Sequence, residues 1–132
     1  MKKIILIIAI AACALAAQLA SAAPQADFKE IMSKPLTDIP GKEGLVLMVT
    51  YPPGSADEIH RHDAHAFVYM LEGSVVMQLR GAEPVTLKAG DTFYEGPNDV
   101  HIVGRNASDS KPAKFVVVLV KKQGVPAFIP TK

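Results

Sequence analysis

Three of the four histidines in this sequence lie in one stretch, GSADEIHRHDAHAFVYMLEG, which runs from Gly54 to Gly73. His60 and His62 are two residues apart, and alternate side chains of a strand project to the same face. The two imidazole rings are therefore expected to point into one space. Neutral imidazole is a good ligand for zinc, copper, iron or nickel. Two ligands alone make a poor metal site, so the chain must supply others.

The fourth histidine, His101, follows a separate segment that is rich in turn-forming residues, GDTFYEGPNDV. Gly90-Asp91 and Gly96-Pro97-Asn98 both favour turns. A strand, a long return and a second strand could bring His101 beside the first two histidines. A third imidazole would then join the site.

These two segments resemble the two motifs of the cupin family. In the first motif, a glycine precedes a His-x-His pair, a glutamate and a second glycine; in the second motif, a glycine precedes a turn and a histidine. The matching positions are Gly54, His60, His62 and Gly73 in the first motif and Gly90 and His101 in the second. The resemblance implies a jelly-roll barrel with a divalent metal ion inside, held by His60, His62 and His101.

The sequence departs from the motifs where a fourth ligand is expected. The glutamate position, seven residues before Gly73, holds Ala66. In the turn of the second motif, Gly96 stands where proline is expected. Asn98 replaces a glycine, and asparagine tolerates left-handed backbone. Three histidine ligands therefore carry over by position, and the carboxylate ligand does not.

Two residues are candidates for the missing ligand. Strand parity places His65 on the face opposite the other histidines, so it reaches the interior only if Asp63-Ala64 loops out. Glu95 is favoured, because in cupins its position is usually apolar and faces the barrel interior. A buried carboxylate is costly unless a cation meets it. Glu95 is therefore a candidate metal ligand or proton acceptor, and the alternative is an exposed residue at the rim.

Short apolar segments separated by Gly or Pro fill the chain after Gly44. The predicted strands are 45–51, 66–71, 74–79, 84–88, 91–95, 101–105 and 115–121, and 127–129 can pair only at a sheet edge. Strands this short and closely spaced are typical of an all-β sandwich or barrel. Residues 26–40 are expected to form at most one helical turn or a short strand, because Pro35 and Pro40 interrupt longer elements.

The N-terminal residues have the layout of a secretory signal peptide. A basic start is followed by an apolar run over residues 4–17, which is short for a bilayer span, and then by the small residues 20–23. Cleavage is expected after Ala22 or Ala23, which would make the protein periplasmic or secreted. A lipoprotein anchored at Cys13 is the alternative. The expected organisation is a signal peptide over 1–23, an N-terminal extension over 24–43 and one cupin-like jelly-roll β-barrel over 44–132.

Charge and cysteine content narrow the function classes. The 14 basic and 13 acidic residues nearly balance, and removal of Lys2 and Lys3 with the signal would leave a formal net charge of −1. Neither nucleic acid nor, after cleavage, a membrane is expected as a partner. Cys13 is the single cysteine, so the mature chain would have no cysteine nucleophile and no disulfide. The acidic residues near the first histidines, Asp57 and Asp63 among them, are interpreted as solvated loop charges.

Two functions from different classes follow. The first is a metal-dependent enzyme for which the resemblance suggests a dioxygenase, or an isomerase or lyase, acting on a small molecule. The second is a non-catalytic protein that binds a metal or a small ligand. The metal is expected to be Fe, Mn, Ni, Zn or Cu. Parity places Tyr69 and Tyr94 on the outer surface, where Tyr69 is expected to pack in a homodimer interface.

Overall fold

The structure is a computed structural model, and it describes residues 22–132. Most of the predicted signal peptide, including Cys13, lies outside the described residues. Within residues 22–132 all regular structure is β-strand, and no helix is long and apolar enough to cross a membrane. The predicted all-β class is therefore confirmed.

Ten strands form two antiparallel sheets. They are β1 (Asp27–Pro35), β2 (Lys42–Tyr51), β3 (His60–Arg61), β4 (Ala64–Glu72), β5 (Ser74–Leu79), β6 (Val85–Lys88), β7 (Thr92–Glu95), β8 (His101–Asn106), β9 (Ala113–Lys122) and β10 (Ile129–Pro130). The first sheet has the order β1-β2-β9-β4-β7, and the second has the order β10-β3-β8-β5-β6. Two packed antiparallel sheets, in which most neighbouring strands are not consecutive in the sequence, agree with a jelly-roll barrel.

Strand β4 shows how the sequence divides the inside of the barrel from the outside. Its inward positions, Ala64, Ala66, Val68 and Met70, are all buried, and its outward positions alternate with them. Strand β9 has the same pattern, with Phe115, Val117 and Leu119 buried. The two strands pair antiparallel, with Ala66 opposite Leu119. Alternating burial therefore fixes which side chains reach the interior.

The connection between β4 and β5 requires glycine. Gly73 has a φ of 71°, a left-handed conformation that other residues rarely adopt. A Cβ atom at this position would lie 2.4 Å from the carbonyl oxygen of Pro112. The closing glycine of the first motif is thus explained by the tight turn and by the close approach of the chain that leads into β9.

Residues 27–35 differ from the sequence prediction. They form a nine-residue strand, β1, rather than a helical turn or a short strand. Pro35 lies at the last position of β1, and β1 is an edge strand that pairs only with β2, so the missing amide hydrogen breaks no ladder. The first sheet thus begins before Gly44, within residues 24–43.

Candidate metal centre

The second sheet places two histidines side by side. His60 on β3 pairs directly with His101 on β8, and their ring centroids are 4.8 Å apart. His62 follows β3 immediately, and its ring centroid lies 4.9 Å from that of His60. His60 and His101 are each only 3% exposed. The three imidazole rings thus converge in the interior, as the spacing predicts.

The first sheet contributes a carboxylate. Glu95 on β7 is the direct cross-strand partner of Ala66 on β4, and it is 3% exposed. Its Oε2 atom lies 3.2 Å from Nε2 of His62, and its Oε1 atom lies 3.2 Å from Nδ1 of His101. The small side chain of Ala66 sits beside this carboxylate. Glu95 therefore enters the cluster from the strand next to the one that holds the motif position.

The donor atoms of the four residues have a spacing that suits one ion. One ligand atom from each of His60, His62, Glu95 and His101 lies within 4.8 Å of all the others. Ligands that surround zinc at about 2.0–2.2 Å are separated from one another by roughly 3–4 Å. Small side-chain shifts would therefore bring all four atoms to coordinating distance.

Buried polar atoms in the cluster lack hydrogen-bond partners among the described residues. The two 3.2 Å contacts of Glu95 join its carboxylate to histidine ring nitrogens but are not aligned as hydrogen bonds. Glu95 Oε2 and both ring nitrogens of His101 have no hydrogen-bond partner. Each such atom costs about 1–3 kcal/mol when it is left unsatisfied. A divalent cation at the centre would satisfy them, so these residues fit a metal ion.

Backbone carbonyls orient two of the rings. Nδ1 of His60 lies 2.8 Å from the carbonyl oxygen of Glu58, and Nδ1 of His62 lies 2.5 Å from the carbonyl oxygen of Ala127. Because a carbonyl oxygen only accepts, each Nδ1 donates and each Nε2 keeps a free lone pair. Metal-binding histidines are commonly held in this way.

The pKa values follow from burial and from the Glu95 charge. Burial lowers the pKa of His60 to about 4, so that ring is neutral near pH 7. Burial also opposes charge on Glu95, but its contacts with His101 and His62 outweigh burial and lower its pKa. Burial opposes charge on His62 as well, and the contact with Glu95 outweighs it, so the pKa of His62 is raised. Glu95 is therefore ionised, and a proton would compete with a metal for Nε2 of His62.

A tyrosine and an aspartate extend the polar surface beyond the four ligands. Tyr51 is only 1% exposed, and its hydroxyl donates a hydrogen bond to the carboxylate of Asp57. Burial raises the pKa of Asp57, although the hydrogen bond from Tyr51 opposes the rise, and burial together with the Asp57 charge raises the pKa of Tyr51. A Cβ atom on Gly104 would lie 3.0 Å from the Tyr51 hydroxyl and 3.1 Å from the His101 ring, so only glycine leaves room for both.

These polar groups and an apolar wall enclose a small cavity. The cavity has a volume of about 30 Å³. Its polar lining is Tyr51, Asp57, His60, His62, Glu95 and His101. Its apolar lining comes from both sheets and includes Leu47, Val68, Met77 and Phe115. About 10–15 Å³ of such space holds one water molecule, so this volume admits an ion with one or two waters.

Comparison with known families identifies the fold. The family model described as "Cupin domain" matches residues 47–119, more than half of the chain. The chain belongs to the cupin family. The matched region contains all four residues of the cluster. The match therefore includes both segments that resemble the cupin motifs.

Solved structures agree with the cupin fold. A conserved protein with a double-stranded β-helix domain from Klebsiella pneumoniae is 18% identical, with a TM-score of 0.64 over 84% of this chain and 90% of that one. A cupin domain from Bordetella pertussis is 21% identical, with a TM-score of 0.59 over 76% and 98%. The DMSP lyase DddQ from Ruegeria pomeroyi is 22% identical, with a TM-score of 0.58, but the match covers 67% of this chain and only 43% of the lyase. A comparison with curated protein sequences gives no significant match.

The cupin brings together four of the five predicted site residues. His65 is the exception: it is exposed on the outer face of β4, and its Nδ1 lies 2.7 Å from the Tyr94 hydroxyl. Asp63 has a φ of 49°, but this local turn does not carry His65 inward. Tyr69 and Tyr94 are 49% and 47% exposed, as parity predicts.

The interpretation of Asp57 as a solvated loop charge is wrong. Asp57 lines the cavity and accepts the hydrogen bond from Tyr51, because the loop from β2 to β3 folds back so that the amide of Asp57 donates to the carbonyl oxygen of Gly104 at 2.8 Å. Parity gives one clue to this site. Tyr51 has the same parity as the buried Val49, which predicts a buried hydroxyl that needs a partner.

Proposed function

We propose that this cupin is a metal-dependent enzyme that acts on a small molecule, with the metal held by His60, His62, Glu95 and His101. The unsatisfied buried atoms of Glu95 and His101 carry the proposal. A cluster that served only to stabilise the fold would pair these atoms. The four ligands surround a cavity that is also lined by the partly buried carboxylate of Asp57, and clefts with such groups are typical of active sites.

The protein residues have separate roles in this proposal. When bound, the metal would polarise an oxygen atom of the substrate or make a bound water more acidic. Asp57 lies in the same cavity, and burial raises its pKa, which suits a group that accepts and returns a proton. Tyr51 holds the Asp57 carboxylate in place. Glu95 is held ionised by its histidine neighbours and serves as a ligand.

The reaction classes that we propose are oxygen-dependent cleavage and isomerisation or elimination. Three histidines and a carboxylate suit iron, manganese, nickel, zinc or copper, so the ligand set does not choose among these classes. The structural neighbours include DMSP lyases, but at 20–22% identity the likeness concerns the fold. The narrow cavity favours a substrate that binds at its mouth with one group reaching the metal.

The second candidate is a non-catalytic protein that binds a metal or small ligand. The cavity volume of about 30 Å³ favours it, because substrate pockets usually enclose roughly 300–1,000 Å³. The two candidates share the metal centre and differ in what reaches it.

Metal analysis followed by turnover assays tests the proposal. Protein purified from its native compartment is expected to contain about one divalent metal ion per chain. The loaded protein is then assayed with a flavonol, a β-diketone, a sugar acid and DMSP, in air and without oxygen. Turnover that Asp57→Asn reduces, with metal content unchanged, supports the enzyme. Stoichiometric metal without turnover on any substrate supports the binding protein, and absence of metal contradicts the enzyme and leaves only a protein that binds a small ligand.

We also propose a location and an assembly for the chain. Export by the N-terminal segment would place it in the periplasm or outside the cell, and the intact mass of the exported protein should correspond to a start at Ala23 or Pro24. A retained Cys13 with added lipid would instead establish the lipoprotein.

The outer face of the first sheet exposes Phe67, Tyr69 and Tyr94, which favours a homodimer through this face. Sedimentation of the Tyr69→Asp variant as a monomer, against a wild-type dimer, would support it.

A further inference from the structure

The last residues of the chain lie directly against two of the proposed ligands. The carbonyl oxygen of Ala127 accepts the hydrogen bond from Nδ1 of His62, across 65 residues of sequence. The ring of Phe128 stacks on the ring of His60, with centroids 4.1 Å apart and an interplanar angle of 23°. One short segment therefore touches both members of the His-x-His pair.

The same segment is fixed at points on either side of these contacts. Before Ala127, the ammonium group of Lys121 donates to the carbonyl oxygen of Val125 at 2.5 Å. After Phe128, Ile129 and Pro130 pair with Arg61 and His60, so that β10 extends the sheet at the strand that carries the first ligand. The amide of Thr131 then donates to the carbonyl oxygen of Ile59 at 3.0 Å.

The contacts on the two rings control different degrees of freedom. The hydrogen bond from His62 fixes which nitrogen carries the proton and sets the rotation of the ring, so that Nε2 faces Glu95. The stacking of Phe128 limits the tilt of His60, whose own Nδ1 is held by the carbonyl oxygen of Glu58. Without the segment, the two rings would have more freedom, and metal binding would have to order them.

We propose that residues 125–131, here termed the C-terminal clasp, are a positioning element of the metal centre, so that metal affinity depends on the docking of the clasp. This inference rests on the proposed function, since it assumes that the four residues bind a metal. It adds that the centre is completed by a backbone carbonyl and an aromatic ring from outside both motifs. The clasp itself supplies no ligand atom.

Thermodynamic linkage makes the effect reciprocal. If docking of the clasp raises metal affinity by some factor, metal binding must favour docking by the same factor. Loss of the outer hydrogen-bond partners of metal ligands commonly weakens metal binding 10- to 100-fold. We expect a factor in this range for loss of the whole clasp.

Zn²⁺ affinity of three variants tests the first half of the inference. A chain ending at Val125 keeps the Lys121 contact and is expected to bind Zn²⁺ 10- to 100-fold more weakly. An ester in place of the amide between Ala127 and Phe128 makes the Ala127 carbonyl a poorer acceptor, and it is expected to weaken binding about fivefold, as for the loss of one hydrogen bond. Phe128→Ala removes the stacking contact and is expected to weaken binding as well. Circular dichroism confirms that each variant is folded.

Matched controls separate these effects from general damage. An ester between Thr131 and Lys132 makes the same chemical change beyond the contacts with the two rings. Phe67→Ala removes a half-exposed Phe ring from the outer face of β4. Both are expected to bind Zn²⁺ like the wild type. A folded variant that lacks the clasp and still binds within twofold of the wild type would overturn the inference.

Hydrogen exchange tests the reciprocal half. Zn²⁺ is expected to slow exchange of the Thr131 amide in the full-length chain by the factor that removal of the clasp costs in affinity. His101→Ala, which leaves the clasp contacts in place, should abolish this Zn²⁺ effect. Unchanged Thr131 exchange in a chain that binds Zn²⁺ overturns the inference and leaves the proposed function standing. A full-length chain that binds no divalent metal overturns the proposed function and the inference together.

Discussion

Two buried charged clusters lie in this barrel, and they differ in how their atoms are satisfied. At one, Lys121 donates to the carboxylate of Glu43 at 2.5 Å and to two backbone carbonyl oxygens, which uses all three of its donors. At the other, Glu95 and His101 retain polar atoms without hydrogen-bond partners. Lys121 and Glu95 are each 3% exposed. The complete hydrogen bonding of the first cluster indicates a structural role, and the unpaired polar atoms of the second cluster indicate a site for a cation.

The largest expected effect comes from breaking the satisfied cluster. Lys121→Met would leave the carboxylate of Glu43 without its partner and should lower the free energy of unfolding by about 3–5 kcal/mol. Because Lys121 also anchors the C-terminal clasp through the carbonyl oxygen of Val125, the loss should be at least as large with Zn²⁺ as without it. Chemical denaturation of the wild type and the variant measures both values.

The double variant with Glu43→Gln serves as its control. It removes the unpaired charge and should recover most of the lost stability. A loss that appears only in the Zn²⁺-loaded protein would contradict the structural role of Lys121.

The second prediction compares two histidines on the two sides of β4. His101→Ala removes a proposed ligand and should abolish stoichiometric Zn²⁺ binding. His65→Ala changes an exposed residue that contacts Tyr94, so Zn²⁺ binding should stay at the wild-type level. Metal-to-protein ratios after gel filtration decide the comparison. Equal retention of Zn²⁺ by the two variants would remove His101 from the centre.

The third prediction concerns the cross-strand pair of Ala66 and Glu95. Glu95→Val should reduce the Zn²⁺-induced rise in melting temperature. In the metal-free protein it should change the free energy of unfolding by less than about 1 kcal/mol, because it removes a buried charge together with that charge's contacts to His62 and His101. Calorimetry with and without Zn²⁺ measures both effects.

A second substitution sharpens this prediction. Ala66→Glu, added to Glu95→Val, returns a carboxylate to the motif position and should restore part of the lost Zn²⁺ effect. Restoration would show that the carboxylate can be supplied from either strand. If Glu95→Val alone leaves the Zn²⁺-induced shift unchanged, Glu95 is not a ligand.

The smallest expected effect is a pH dependence. The pKa of His62 is raised despite its burial, because of its contact with Glu95, so its proton competes with a metal from near-neutral pH downward. Zn²⁺ affinity should be full above this raised pKa and should fall by up to about tenfold per pH unit below it.

In the metal-free protein the sign is opposite. A raised pKa for His62 contributes stability below the ordinary pKa, and this contribution is lost as the pH rises through the raised value. Melting temperatures at pH 6, 7 and 8, with and without Zn²⁺, separate the two trends. A Zn²⁺-induced shift that is constant over this range would contradict the proton competition.

Strand alternation made much of the centre predictable from the sequence. His60 and His62 are separated by one residue, so parity predicts that they share a face. That Glu95 faces the same interior is what the cupin resemblance implies for its position. The exclusion of His65 follows from parity. The nine-residue length of β1 is not predictable in the same way, because the sequence does not reveal that Pro35 lies at the end of an edge strand.

The rest of the centre depends on contacts that leave no pattern in the sequence. The hydrogen bond from His62 goes to the backbone carbonyl of Ala127, a group that every residue possesses. The position of Asp57 depends on the path of the loop between β2 and β3, which returns to Gly104. Residue types and periodicity describe side chains on strands, and they carry little information about loops and backbone partners.

The placement of the ligands on both sheets has a consequence for how the barrel comes apart. His60 and His101 belong to the second sheet, and Glu95 belongs to the first. A bound metal would therefore be a cross-link between the sheets, in a chain that has no cysteine after residue 13 to form a disulfide. Separation of the sheets would then require release of the ion, so the metal would slow unfolding as well as raise stability. The loaded protein would resist transient opening in the way that a disulfide-bonded domain does.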